Sequence, residues 1–192
     1  MAGTSASARR GSVARALTVA TWVAGAALVA GVAWTTRFGT RWPQVYFMTG
    51  PSMEPTVAAE EYFVAFSPPG RLARGDLVIF RYEDEDGVFH VLRRLAALEG
   101  DTLSMRAGAV IVNGARAPWP FRIIEPAAWR SSLARDGNLY DWGPWIVPAD
   151  SVALLSDTRD MLGWPDSRFI GFVPRDDILA RVSRTLRGRR LR

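Results

Sequence analysis

The sequence predicts a mainly β domain, built as antiparallel sheet, behind a single N-terminal transmembrane helix. Three observations predict it. Residues 16–34, ALTVATWVAGAALVAGVAW, carry no charge and come close to the roughly 20 apolar residues that span a bilayer as a helix. Past them, short runs rich in Val, Ile, Phe and Tyr alternate with clusters of Gly, Pro, Asp and Asn, the pattern of strands joined by turns. Two pairs of these runs lie only a few turn-forming residues apart, which favours antiparallel hairpins.

Taken in order, residues 1–15 are small, polar and basic, the composition of a disordered cytoplasmic tail. Residues 16–36 form the transmembrane helix, with Trp34 where an interfacial aromatic would stand. Arg9, Arg10 and Arg15 precede the span and Arg37 and Arg41 follow it, a slight bias toward a cytoplasmic N-terminus. Gly31-Val32-Ala33 has the small residues of a leader cleavage site, but the apolar run exceeds a typical leader core and favours an uncleaved anchor. The run also has no polar face, which argues against a buried helix of a soluble protein.

The remaining body, 37–183, reads as one β-rich domain. Strands are expected at Gln44–Met48, Glu61–Phe66, Gly75–Tyr82 and Val88–Leu98, the last two flanking a turn at Glu83–Gly87. A second hairpin is expected from Thr102–Arg106 and Ala109–Val112, closed by Ala107-Gly108. Residues 115–145, rich in Pro, Trp and Arg without a period, read as a loop-rich insertion. Strand character resumes over Ile146–Leu155, and Asp177–Val182 is expected to close the domain before a basic tail at 184–192.

Composition narrows the chemistry. There is no cysteine and one histidine, His90, which leaves no ground for a thiolate or histidine metal site and no expectation of a cofactor. The net charge of +5 comes from arginine alone, for the chain has no lysine. The arginines cluster at the two ends, without zinc-finger or helix-turn-helix spacing, so the expectation is no nucleic acid as partner. Basic ends against anionic lipid, or simply solvated, fit better.

The stretch most suggestive of chemistry is Gly50–Thr56, GPSMEPT. Pro51 and Pro55 stiffen the loop and cannot donate to a helix or sheet, so Ser52 is held on a fixed backbone. A serine between prolines is on its own more often an ordinary turn. Three further blocks change that reading: GDLVIF at Gly75–Phe80, LRRLAALEGD at Leu92–Asp101, and SDTRD…DSRFIGFVP from Ser156 to Pro174.

In this order behind one apolar anchor, the four blocks resemble the bacterial type I signal peptidases, over roughly residues 43–182. The resemblance implies a mostly antiparallel β fold on the outer side of the cell (inner) membrane, single-pass, acting on exported preproteins and in contact with the lipid bilayer. It implies cleavage of signal peptides after small residues of the Ala-X-Ala kind, with Ser52 as nucleophile and its backbone N–H as oxyanion donor. Asp166, Ser167 and Arg168 match the supporting acidic and basic block, Arg94 matches the basic partner of the catalytic lysine, and Asp157, Arg159 and Gly171 also match. Gly75, Asp76, Gly100 and Asp101 fall on turns and scaffold. Gly50 stands where some members carry a serine as second oxyanion donor.

One departure weighs on the catalytic expectation. The family's base, a neutral lysine, falls at Arg93. Neutralising arginine at pH 7 needs roughly six units or more of pKa shift, beyond the 3–5 units or so that full burial supplies. His90, three residues earlier, is the alternative base: imidazoles titrate near pH 6.5 or so as a class, but residues three apart on a regular strand face opposite ways. A bulge or shifted register would be required. The segment Met161–Pro165 makes the last block two residues longer than usual in the family and lacks the serine that often orients the lysine.

Two functions follow as expectations. One is a membrane-anchored serine endopeptidase with a weakened base or one lent by a partner subunit; the other is a pseudopeptidase that binds signal peptides or membrane proteins uncut. A self-cleaving repressor peptidase of the related Ser-Lys kind fits less well, given the anchor and no DNA-binding segment. Met53, Phe47 and the tryptophans are expected in the core rather than on a membrane-dipping surface.

Overall fold

The computed structural model describes residues 4–38, 42–124, 139–159 and 165–185, with side chains from residue 18 onward in the first of these and to residue 36. The chain divides into two units, Met1–Thr40 and Arg41–Arg192. The first holds helix α1, Thr4–Phe38. Its apolar portion, Thr18–Thr36, has a mean hydropathy of 1.5 and no buried side chain, and is long and apolar enough to cross a membrane. The helix starts well before the apolar run, so residues 4–15 are helical where a disordered tail was expected. Alanine and arginine are strong helix formers, and no proline interrupts the chain before Pro43.

The second unit is built on a seven-stranded antiparallel sheet and a four-stranded one. Strands β1 (Trp42–Phe47) and β2 (Tyr62–Ser67) flank a 3₁₀ turn at Pro51–Met53. Strand β3 (Leu77–Asp84) pairs with β4 (Gly87–Leu98) as the expected hairpin. Its turn is tighter than expected, only Glu85 and Asp86 lying between the strands, because Asp84 Oδ1 accepts from Asp86 N and extends the pairing to Asp84 and Gly87. Strands β5 (Thr102–Arg106) and β6 (Ala109–Val112) form the second expected hairpin.

Beyond it, the expected loop-rich insertion is partly sheet. Strand β7 (Ala115–Arg116) pairs with β6, and β8 (Trp142–Ile146) pairs with β5. Pairing with an existing edge supplied order where composition showed none; residues 125–138 lie outside the described part. The single strand expected over Ile146–Leu155 is two, because Pro148 and Asp150, whose φ is +54°, break it before β9 (Ser151–Leu155). Helix α2 (Ser167–Ile170), β10 (Val173–Pro174) and β11 (Ile178–Thr185) complete the chain. The larger sheet runs β1-β2-β11-β3-β4-β9-β10 and the smaller β7-β6-β5-β8.

The central strand shows why the sheet holds together. Leu77 and Ile79 enter one core with Met48, Met53, Val57, Phe63 and Leu92, while Val78 and Phe80 enter another with Leu95, Val152 and Leu154. Period-two alternation with both faces buried makes GDLVIF an interior strand rather than an edge. Met53, wholly buried, pins the Ser52 turn to the first core, an anchorage of about 1.5–3 kcal/mol for a side chain of this size. Phe47 and Trp42 are not core: they are 46% and 70% exposed on β1. As the outermost strand of its sheet, β1 has a neighbour on one side only, so its outward residues meet no second layer.

Candidate active site

Ser52 occupies the middle of the Pro51–Met53 turn and is buried. The turn is capped by Gly50 without a side-chain bond. In such a turn the first N–H groups have no partner within it. The loop is fixed from outside by Thr158, whose N donates to Ser52 O at 3.0 Å and whose hydroxyl donates to Pro51 O at 2.6 Å. One motif block therefore clamps another about a hundred residues away in sequence.

Strand β4 brings Arg93 to the serine. Arg93 Nη1 donates to Ser52 Oγ at 3.1 Å and to Leu92 O at 2.5 Å, and Nε donates to Pro165 O at 2.9 Å. Its Nη2 is buried with no hydrogen-bond partner, and no carboxylate forms an ion pair with it among the described residues. Burial pushes the guanidinium down to about 10, against the charge of Asp166, which favours the cation. At pH 7 it remains a donor, and the serine oxygen accepts from it.

Arg94, next along the strand, is paired throughout. It grips Asp157 with Nε at 2.8 Å and Nη2 at 2.6 Å, reaches Thr56 Oγ1 at 2.8 Å, and donates through Nη1 to Gly75 O at 2.9 Å. The Thr56 hydroxyl also bonds Asp157. This pair ties together the Ser52 loop, the start of β3 and the Ser156–Arg159 segment.

The third cluster lies around α2. Asp166 caps the helix, accepting from Arg168 N, and pairs with the Arg168 side chain at 2.7 Å. Ser156 N and Oγ also donate to Asp166. Burial works to raise the Asp166 pKa, but the Arg168 charge and hydrogen bonds, then Arg93 and Ser156, hold it below the usual carboxylate value. Ser167 Oγ accepts from Leu154 N at 2.8 Å, a bond that fastens the helix to β9. Arg159, also buried, donates to Gly108 O and Ser156 O, and burial followed by the like charge of Arg168 lowers it to about 10.

A cleft of about 260 Å³ opens onto Ser52 and Arg93, walled by Tyr46, Met48, Phe63, Ile79 and Leu92, with Pro165 beside the arginine. His90 also lines it, but its side chain is exposed, sits opposite Arg81 in the β3–β4 register, and has its ring 6.5 Å from that of Tyr46. Among the described residues no hydrogen bond joins His90 to Ser52. The register shift in β4 lies between Leu95 and Ala97, beyond Arg93, not between His90 and Arg93. Arg93 thus reaches Ser52 directly, Arg94 joins the Ser52 loop through Thr56 and Asp157, and Asp166, Ser167 and Arg168 form a buried cluster with Ser156 and Leu154, while His90 stands at the cleft's outer part. Among the described residues no group of three or more His, Asp or Glu side chains is placed to hold a metal.

Thr56, Ser156 and Thr158 were not singled out by sequence. Each lies inside a motif block, but the Thr56 and Thr158 hydroxyls bond partners far along the chain, which leaves no local pattern, and that of Ser156 bonds Thr158 O and Asp166 within its own block, at no spacing that a regular element would mark. Met161–Trp164 of the lengthened spacer lie outside the described residues; Pro165, its last member, supplies the carbonyl that receives Arg93 Nε.

A family model described as signal peptidase, peptidase S26, matches residues 17–186. Signal peptidase I of Leptolyngbya laminosa is 28% identical over 148 residues, covering 71% of this chain and 64% of that protein. The probable signal peptidase I-2 of a Synechocystis strain is 30% identical over 143 residues, covering 71% and 59%. The chain thus spans less than two thirds of the length of these two relatives. Signal peptidase I P of Bacillus subtilis subsp. natto is 31% identical over 138 residues, covering 69% and 70%. A crystal structure of a signal peptidase I from Enterococcus faecalis aligns with a TM-score of 0.40 and 22% identity, over 57% of this chain and 95% of that one.

Proposed function

The chain belongs to the signal peptidase family, peptidase S26, and on that premise we propose that it is a membrane-anchored serine endopeptidase removing signal peptides from exported preproteins. The anchor is the apolar part of α1, in the lipid bilayer, with the β domain on the extracytoplasmic side of the cell membrane. The substrate lies in the cleft with a small residue, as in Ala-X-Ala, at Ser52. The Ser52 hydroxyl attacks the carbonyl after that residue, and the Ser52 N–H stabilises the oxyanion; the scissile C–N bond then breaks, the hydroxyl's proton passes through the base to the leaving amine of the mature chain, and water hydrolyses the acyl-enzyme to the free carboxylate and Ser52. The observation that carries this reading is the buried Ser52 on a clamped turn, its Oγ hydrogen-bonded to the basic side chain at the family's base position.

The same bond favours a second reading. A protonated guanidinium donates to the hydroxyl and cannot take its proton. With Arg93 near 10, about one molecule in a thousand carries the neutral form at pH 7. At neutral pH the protein then behaves chiefly as a binder of signal peptides, unless a partner subunit or His90 supplies the base. Cleavage of a fluorogenic Ala-X-Ala signal peptide by detergent-purified protein separates the two. Turnover lost in Ser52→Ala supports the peptidase; equal turnover in Ser52→Ala would sink it. Binding with no Ser52-dependent product at any pH leaves the pseudopeptidase.

A further inference from the structure

Counted together, the buried charges around Ser52 do not balance. Arg93, Arg94, Arg159 and Arg168 are each at most 1% exposed, as are Asp157 and Asp166. Asp157 is taken by Arg94 and Asp166 by Arg168, which leaves two cations unmatched among the described residues. Buried charge is expensive unless it is paired. Of the two, Arg159 spends its donors on backbone carbonyls and lies over the Phe121 ring at 5.2 Å. Arg93 alone borders the cleft, and it alone carries a buried nitrogen, Nη2, with no acceptor. The cleft is therefore lined by a cation without a counter-ion, one of whose buried nitrogens has no acceptor, next to the Ser52 hydroxyl that it bonds.

We infer that this end of the cleft is a receptor for a peptide C-terminal carboxylate, held between Arg93 and Ser52. The inference rests on the proposed reading that signal peptides lie in the cleft and deepens it. A peptide with its final carbonyl carbon at Ser52 has one carboxylate oxygen toward the Ser52 N–H and the other toward the guanidinium. Charge-assisted bonds of this kind are shorter and roughly twice as strong as neutral ones. An uncut peptide offers only a neutral carbonyl there, so the arginine discriminates in favour of the cleaved end. A neutral lysine would not; the arginine shifts the site from making a carboxylate toward keeping it.

The test compares two fluorescein-labelled peptides ending in Ala-Ser-Ala, one a free acid and one a carboxamide, titrated with full-length protein in detergent at pH 7 by fluorescence anisotropy. The expected result is at least about tenfold tighter binding of the acid, with the preference gone in both Arg93→Met and Arg93→Gln. Equal binding of acid and amide overturns the carboxylate receptor while leaving the signal-peptide cleft standing. Binding of neither peptide overturns both. An acid preference that survives both substitutions, in protein shown by its thermal transition to be folded, assigns the carboxylate to another cation and also overturns the inference. Should both variants fail to fold, the acid-to-amide ratio of the native protein decides.

Discussion

Arg93 and Arg94 are neighbours on one strand, equally buried, yet one grips a carboxylate and the other does not. Removing Arg94 strands Asp157 in the interior, so Arg94→Met is expected to destabilise by about 3–5 kcal/mol. Arg93 has three acceptors but no counter-ion, and its lowered pKa corresponds to a burden on the order of 3 kcal/mol. Arg93→Met is expected to stabilise, by about 1–3 kcal/mol after its hydrogen bonds are lost. Urea unfolding of the two variants side by side checks that adjacent arginines act with opposite sign; a loss in both would refute the charge argument. The catalytic consequence is a pH profile. If neutral Arg93 is the base, kcat/KM rises roughly tenfold per pH unit up to about 10, whereas a plateau from neutral pH assigns the base elsewhere. Arg93→Lys is expected to raise the rate at pH 7 by about 10²-fold or more, since burial lowers a lysine by 3–5 units or so.

Among the elements, the Ser52 turn and β8 show how distant contacts fix local geometry. Thr158→Val removes the hydroxyl that bonds Pro51 O and is expected to lower kcat more than it raises KM, with a stability loss of about 1–3 kcal/mol. Steady-state kinetics beside a thermal melt separate the two effects. Gly143 has a φ of +81°, and a Cβ there would stand 2.8 Å from Leu103 O, so Gly143→Ala is expected to destabilise by about 1–3 kcal/mol. The hairpins β3–β4 and β5–β6 were legible in sequence because their alternation and turn residues are local. The partner of β8 was not, because register with a distant strand leaves no periodic trace, and β7, though adjacent to β6, is only two residues long and too short to show alternation. The site shows the same divide. Ser52, Arg93 and the DSR block are legible as motifs, while the clamps Thr56, Ser156 and Thr158 depend on tertiary proximity. The core expectation for Phe47 and Trp42 failed because an aromatic on an edge strand looks in sequence like one in the core.

For the whole molecule, the excess of arginine and the buried carboxylates set a direction for stability against pH. The chain carries +5 at pH 7, and its sequence pI is about 10.6, so acid adds positive charge to a molecule that already repels itself. Two acidic groups resist protonation in the folded state. Asp166 is held low by Arg168 despite its burial, and Asp101 is held low, against its own burial, by Arg74, Leu98 N and Asn113. Their folded pKa values lie below those of the unfolded chain, near 3.9 or so. The stability they contribute is therefore complete above the unfolded value and is lost as pH falls through the folded ones. Once the pH falls through its lowered pKa, protonated Asp166 would also leave Arg168 as a third unmatched buried cation. The expected outcome is a melting temperature that is steady from pH 7 to about 5 and falls steeply below 4. In Asp166→Asn the neutral pH stability should already be lower by about 3 kcal/mol or more, and the remaining acid dependence shallower. Thermal melts of both proteins between pH 7 and 2 at fixed ionic strength decide it. An equally steep acid limb in the variant would assign the loss to general charge repulsion instead of this pair.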